Sequence, residues 1–187
     1  MRLLAISGSL RADSHNTRLL RIAAEEAPAG VEIELYEGLA TIPPYDADED
    51  KGLGPAPVRD FRELVANADG LIFATPEYNS SIPGALKNAI DWASRPRATT
   101  PLAGKPAAVM GATTGHFGAV WAQAELRKVL GSTGARVVDA EVSLALADDA
   151  FNSDGALRDE TALEGIRHLT AAVVAEVERD RELALAA

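Results

Sequence analysis

An α/β fold, a parallel sheet with helices on both faces, is what this sequence predicts, and three observations predict it. Short apolar runs alternate with amphipathic stretches of helical period almost to the end of the chain. Three of the runs, Leu3 to Ile6, Gly70 to Thr75 and Ala107 to Gly111, read as strands, the first of them buried. The length of 187 residues suits one domain with a core of its own. Five successive strand-then-helix units joined by right-handed crossovers leave few topologies, and a ligand belongs beyond the carboxyl ends of the strands.

The elements follow in order. Leu3 to Ile6 stops at Ser7-Gly8-Ser9, a strand feeding a turn. From Thr17 to Ala27, Leu19, Leu20, Ala23, Ala24 and Ala27 recur at helical spacing, with Ser14 and Asn16 as candidate N-caps and Pro28-Ala29-Gly30 as the stop. Val31, Ile33 and Leu35 alternate with Glu32 and Glu34, the pattern of a half-exposed strand near a sheet edge. Residues 36 to 57, with Pro43-Pro44 and the acidic cluster Asp46, Asp48, Glu49 and Asp50, form a loop long enough to be functional or mobile, or one whose charges simply face water. A helix from Val58 to Ala68 leads to the strand Gly70 to Thr75, and Pro83 suits the first turn of a helix running to Ala93. Ala107 to Gly111 is the fourth strand, Phe117 to Leu130 the fourth helix, and Val137-Val138 with its neighbours the fifth strand. The last helix, Asp159 to Glu182, carries Leu163, Ile166, Leu169, Val173 and Val177 on one stripe.

Composition removes several classes of function. With 28 acidic against 18 basic residues the net charge is −10, against phosphate-backbone binding as the main activity. The absence of cysteine removes disulfides, thiolate metal sites and catalytic thiols together. The apolar runs are far short of the ~20 residues of a membrane helix. A start of Met1-Arg2 followed by LLAIS predicts no secretory leader, hence a cytoplasmic protein. His15, His116 and His168 are scattered without metal-ligand spacing, and no G-x-S-x-G is present.

Three loops form the predicted rim. The first, Gly8 to Thr17, joins a strand to a helix start, where free N–H groups and the helix dipole welcome an anion. It has neither Gly-Lys-Ser/Thr nor three spaced glycines, so neither common nucleotide fingerprint applies. Ser9, Ser14, Asn16 and Thr17 with the Arg11 fork can hold a terminal phosphate, or Ser14 or Asn16 merely caps the helix and Arg11 is solvated. The second loop, Thr75 to Gly84, offers amides, Asn79 and the aromatic Tyr78 to a planar ligand, or is simply a turn. The third, Gly111 to Gly118, offers amides and hydroxyls to a ring edge.

Taken together, GSLRADSHN after the first strand and PEYNSSIPGALKNAIDWASR after the third resemble the NADPH-dependent FMN reductase family, which includes bacterial chromate and quinone reductases and some azoreductases. PLAGKPAAV and GATTGHFGAVWAQAELRKVL extend the likeness to about residue 138. The resemblance implies a flavodoxin-like three-layer sandwich over residues 1–187, a single FMN-binding domain with a five-stranded parallel sheet in the order 2-1-3-4-5. It implies bound FMN, NADPH or NADH as reductant, ping-pong hydride transfer to a small-molecule acceptor, and a homodimer or homotetramer without nucleic-acid or membrane partners. A free-flavin reductase and a flavodoxin-like electron carrier are the alternatives.

By resemblance, Ser9, Arg11, Ser14 and Asn16 hold the FMN phosphate, with Leu10, Ala12, Asp13 and His15 in the same cradle and Thr17 as an extra donor. Pro76, Glu77, Tyr78 and Asn79 lie beside the isoalloxazine ring, as do Ala112, through its backbone, and Thr113, while Gly115 and Gly118 allow close approach. Leu86, Ile90 and Trp92 resemble a subunit-contact surface, and Trp121 stands where an arginine is common. No side chain is expected to act as acid, base or metal ligand. The charge is unevenly spread, with residues 1–22 at net +3 and residues 139–187 at −8, so the acid lies away from the cradle.

Overall fold

The computed structural model describes residues 1–153 and 155–186. Five strands, β1 (Arg2–Ser7), β2 (Glu32–Tyr36), β3 (Gly70–Thr75), β4 (Pro106–Ala112) and β5 (Arg136–Leu144), form one parallel sheet in the order β2-β1-β3-β4-β5. The order reverses between β1 and β3, so the loops after β1, β3 and β4 leave neighbouring strands on the same edge. Strands β3 and β4 are buried along their whole length, and β2 is an edge strand, as its alternation predicts.

The helices are α1 (His15–Glu25), α2 (Ala56–Asn67), α3 (Gly84–Ala93), α4 (Val120–Ser132) and α5 (Glu160–Ala186). Alternate strand residues feed two cores. Leu4, Ile6, Leu71, Phe73 and Val109 pack against Phe61, Trp92 and Leu126 of α2, α3 and α4. Leu3, Ala5, Ile72, Ala108 and Met110 pack against Leu20 of α1 and Ile166, Leu169 and Val173 of α5.

Several boundaries differ from the sequence expectation for physical reasons. Helix α1 begins at His15 because the Ser14 hydroxyl accepts the Thr17 N–H at 3.2 Å, which makes Ser14 the cap and leaves Asn16 inside the helix. Helix α4 begins at Val120, three residues late, because Gly118 and Ala119 both take left-handed backbone, at φ +58° and +62°. Strand β5 is nine residues long, since Asp139 and Glu141 point outward from an exposed edge while Val138, Ala140 and Val142 face the core.

The acidic loop is only partly solvated. Asp46, Asp48 and Glu49 are exposed, but the Asp50 side chain is 11% exposed and accepts from Arg62 at 2.9 Å. Leu86, Ile90 and Trp92, expected at a subunit surface, are instead buried within the chain. The spacing i, i+4, i+6 wraps around the helix, and α3 is covered by the sheet on one side and the long loop on another.

At the opposite edge of the sheet, Asp69 fixes the entry to β3. Burial would raise its pKa, but the Arg2 N–H at 2.7 Å and the Arg181 guanidinium at 2.9 Å outweigh it and hold the carboxyl below its ordinary value. A depressed carboxylate stabilises the fold above its unfolded pKa, and that contribution is lost as pH falls through the folded value. Asp69→Asn is therefore expected to cost more stability at about pH 7 than at about pH 3, seen as urea midpoints that converge in acid. A gap of equal size at both pH values would remove this role.

Candidate active site at the carboxyl edge of the sheet

Each rim loop is held in place from a different part of the chain. In the first, the Gly8 N–H donates to the Ala74 carbonyl at 2.8 Å, and the Thr17 hydroxyl donates to the Ser7 hydroxyl at 2.8 Å, which ties the start of α1 to the end of β1. The Arg11 N–H donates to the Ser9 hydroxyl at 3.3 Å. Among the described residues the Arg11 guanidinium has no partner, and neither do the N–H groups of Leu10, Ala12 and Asp13. Leu10, Arg11, Ala12 and Asp13 are all exposed. Free backbone donors, one unpaired fork and the start of α1 are groups to which an anion can bind.

A cavity of about 260 Å³ opens beside this loop on the β2 side, lined by Ser7, Ser9, Arg11 and Thr17 and by Leu35, Tyr36 and Leu39. Burial, with Asp60 nearby, pushes the Tyr36 phenol up to about 12, so it stays neutral at physiological pH.

The second loop makes a sharp exposed tip. Tyr78 and Ser81 exchange backbone hydrogen bonds at 2.9 and 3.1 Å, and the two residues between them, Asn79 and Ser80, have φ of +53° and +61°. Both central residues left-handed is a type I′ turn built without glycine, and it leaves Tyr78 more than half exposed. Pro76 is buried at the foot of the turn. The Glu77 carboxylate reaches across to α4 and accepts from the Trp121 and Ala122 N–H groups, both at 3.1 Å. The residue that precedes α4, Ala119, has no side chain that can cap it, so Glu77 supplies the missing cap and its charge meets the positive end of the helix dipole.

In the third loop the Ala112 N–H and carbonyl are both taken by the Asn16 side chain, at 2.9 and 3.0 Å. The backbone contact expected from Ala112 is thus made inside the protein, and the exposed part of the loop is Thr114 to Phe117. The Thr113 N–H donates to the Leu144 carbonyl at 3.0 Å, and the Gly115 carbonyl accepts the Leu146 N–H at 2.9 Å. Phe117 and Trp121 are exposed and meet edge to face with ring centroids 5.0 Å apart.

Two contacts had little or no signal in the sequence. Gln123, almost fully buried, donates to the Gly118 carbonyl and to the Ser143 hydroxyl, both at 2.9 Å, and so fixes the left-handed turn before α4. Its one trace is a polar residue on the buried stripe of Leu126 and Leu130. His15 stacks on Phe151 at 5.6 Å and bonds Asp148 at 2.9 Å, which engages it with the segment after β5. Among the described residues no group of His, Asp and Glu side chains gathers to hold a metal ion, and no helix is long and apolar enough to cross a membrane.

This arrangement has counterparts among known proteins. The model of the NADPH-dependent FMN reductase family matches residues 1–149. An NAD(P)H-dependent FMN reductase of Pseudomonas aeruginosa is 44% identical over 183 residues, 97% of this chain and 97% of that protein. A quinone reductase of Escherichia coli K12 is 42% identical over 131 residues, covering 70% of this chain and 69% of its own. Among solved structures, a flavoenzyme NAD(P)H:(acceptor) oxidoreductase from Paracoccus denitrificans superposes with a TM-score of 0.82 at 33% identity, over 95% of this chain and 97% of the other. With the family model spanning most of the chain, and these three loops on one edge of a sheet ordered 2-1-3-4-5, the protein belongs to the NADPH-dependent FMN reductase family.

Proposed function

We propose that this chain is an NAD(P)H-dependent oxidoreductase that retains FMN at the carboxyl edge of its sheet and reduces quinones, with azo compounds and chromate as further acceptors. The observation that carries the reading is the unpaired Arg11 guanidinium among the free N–H groups of Leu10, Ala12 and Asp13, on the same edge as the exposed aromatics Tyr78, Phe117 and Trp121. The residues present fit FMN: one anionic end needs donors and a cation, and one planar end needs backbone donors and aromatic walls. The names of the relatives, an FMN reductase and a quinone reductase, support the same cofactor and acceptor class.

In this reading Arg11 binds the phosphate, with Ser9, Leu10, Ala12, Asp13, Ser14, His15 and Thr17 forming the cradle around it and Asn16 buried behind it. Pro76, Glu77, Tyr78, Asn79, Thr113 and Gly115 border the ring, with Ala112 behind them. Tyr78, Phe117 and Trp121 exclude water from the space in which a nicotinamide and then an acceptor stack. Bound there, FMN would supply the two-electron redox chemistry between NAD(P)H and the acceptor, in a ping-pong course. No side chain in the three loops has to move a proton for this. The same reading takes residues 1–187 as one domain, working as a homodimer or homotetramer in the cytoplasm.

Purification followed by a visible spectrum and anaerobic titration with NADPH and NADH tests the proposal. The expected result is a yellow protein that keeps its flavin through gel filtration, bleaches with at least one nicotinamide, and recovers its colour on adding a quinone. Flavin that is lost on the column and turns over as a substrate would make the protein a free-flavin reductase. Bound flavin that neither nicotinamide bleaches would leave an electron carrier, and a protein that binds no FMN at all would overturn the cofactor reading.

A further inference from the structure

Asn16 and Arg11 lie five residues apart in the first loop, and the structure gives them different surroundings. Arg11 is exposed, and its guanidinium has no partner among the described residues. Asn16 is 3% exposed, and its side-chain amide pairs with both backbone groups of Ala112. Its Oδ1 accepts the Ala112 N–H at 2.9 Å, and its Nδ2 donates to the Ala112 carbonyl at 3.0 Å, across 96 positions of sequence.

The location explains why such a clamp is needed. The β3–β4 ladder ends where Thr75 pairs with Gly111, and the next residue of the second loop is Pro76, which has no N–H to continue it. Ala112 is one residue past that last pair on the β3 side; it is in register with Leu144 of β5, but the Leu144 carbonyl takes the Thr113 N–H, and the buried Ala112 N–H and carbonyl meet the Asn16 amide. The Asn16 amide provides one acceptor and one donor, as a neighbouring strand would. The start of α1, which belongs to the phosphate loop, is thereby fixed to the last residue of β4, from which the third loop departs.

Resting on the reading of this edge as a flavin site, we propose that Asn16 is a positioning residue that couples the phosphate end of the site to the ring end. Arg11 acts on the phosphate alone. The contribution of Asn16 to flavin binding passes through Ala112 and the third loop, so it is independent of the phosphate.

Riboflavin, which has the ring system of FMN without the phosphate, separates the two roles. Apoprotein is titrated with FMN and with riboflavin, following flavin fluorescence, for the wild type, Arg11→Ala and Asn16→Ala, with a thermal melt of each apoprotein. Arg11→Ala is expected to weaken FMN by roughly tenfold or more, the worth of one charge-assisted hydrogen bond, and riboflavin far less. Asn16→Ala is expected to weaken both flavins by a similar factor, roughly tenfold, leaving the FMN-to-riboflavin ratio as in the wild type. It is also expected to lower the melting temperature of the apoprotein, because the Ala112 groups lose their partners.

Loss of FMN affinity alone in Asn16→Ala would make Asn16 a phosphate ligand and overturn the proposal. Wild-type affinity for both flavins would overturn it as well. Should Asn16→Ala not fold, Asn16→Ser, which keeps a small hydroxyl in the same space, carries the same comparison. A wild-type protein that binds neither flavin overturns the flavin reading itself, and the coupling role falls with it. Weak but equal binding in the variants is thus distinguishable from the absence of a flavin site.

Discussion

Gly118→Ala is expected to destabilise the protein by about 3 kcal/mol or more, among the largest effects of any single methyl group added to this chain. Two costs combine. Gly118 has φ +58°, a conformation in which an L side chain is strained by about 1–2 kcal/mol. A Cβ at this position would also lie 2.6 Å from the Ser143 carbonyl carbon, 2.8 Å from its oxygen and 2.9 Å from its Cβ. Those first two atoms are backbone of β5, so relief requires moving the strand or the turn, and the turn is held by Gln123 at the Gly118 carbonyl. Because the turn sets where α4 begins, the variant is also expected to displace Phe117 and Trp121 and to weaken FMN binding.

Gly131→Ala, on the exposed side of the same helix with nothing within 4 Å of the added carbon, is the control. It is expected to stabilise by up to about 1 kcal/mol through helix propensity and loss of backbone freedom in the unfolded chain. Guanidinium melts of the two variants against wild type check both signs. A Gly118→Ala midpoint at the wild-type value would show that the packing against Ser143 is softer than argued.

Trp92→Ala is the second large effect, an expected loss of about 3–5 kcal/mol. Trp92 is fully buried on α3, and its indole N–H donates to the Pro43 carbonyl at 2.8 Å. Tyr45 meets its ring edge to face at 4.8 Å, and the Arg62 guanidinium lies 5.8 Å from the ring centroid. Asn88 completes the attachment, donating to Pro43 and accepting the Tyr45 N–H. One indole therefore anchors the long crossing between β2 and α2, and its removal is expected to raise protease cleavage between residues 43 and 55 as well as to lower stability. Trp92→Phe keeps most of the packing and removes only the N–H, with the Pro43 carbonyl still served by Asn88. Its expected cost is about 1 kcal/mol. Equal losses in the two variants would place the weight on the hydrogen bond rather than on the buried ring.

Trp92 also shows how far the sequence could be read. Its place on a helix followed from Pro83 opening a helix that runs to Ala93, but that does not say what covers each face. By resemblance it belonged with Leu86 and Ile90 at a subunit surface, whereas the crossing loop of this chain covers it. Asp50 repeats the lesson from the other side: an acidic run reads as solvated until one of its members meets Arg62. The cap of α1 was legible to within two candidates, Ser14 and Asn16, because the contact from Ser14 to the Thr17 N–H is local. The start of α4 was not, because the helical period extends through Phe117 while the backbone is turned at Gly118 and Ala119 by contacts with β5.

By itself the sequence determined the five strand-and-helix units, the parallel sheet, the family, and three polar loops at the carboxyl edge of the sheet. Those follow from period, turn residues and motifs, which act over a few residues and survive in any chain order. Only the tertiary structure decided what the loop residues do: Glu77 caps a helix 44 positions away, and Asn16 clamps a strand end 96 positions away. The physical reason is that a buried backbone group takes whichever partner the closed fold brings within about 3 Å, and that partner is chosen by the packing of the sheet rather than by its neighbours in the chain.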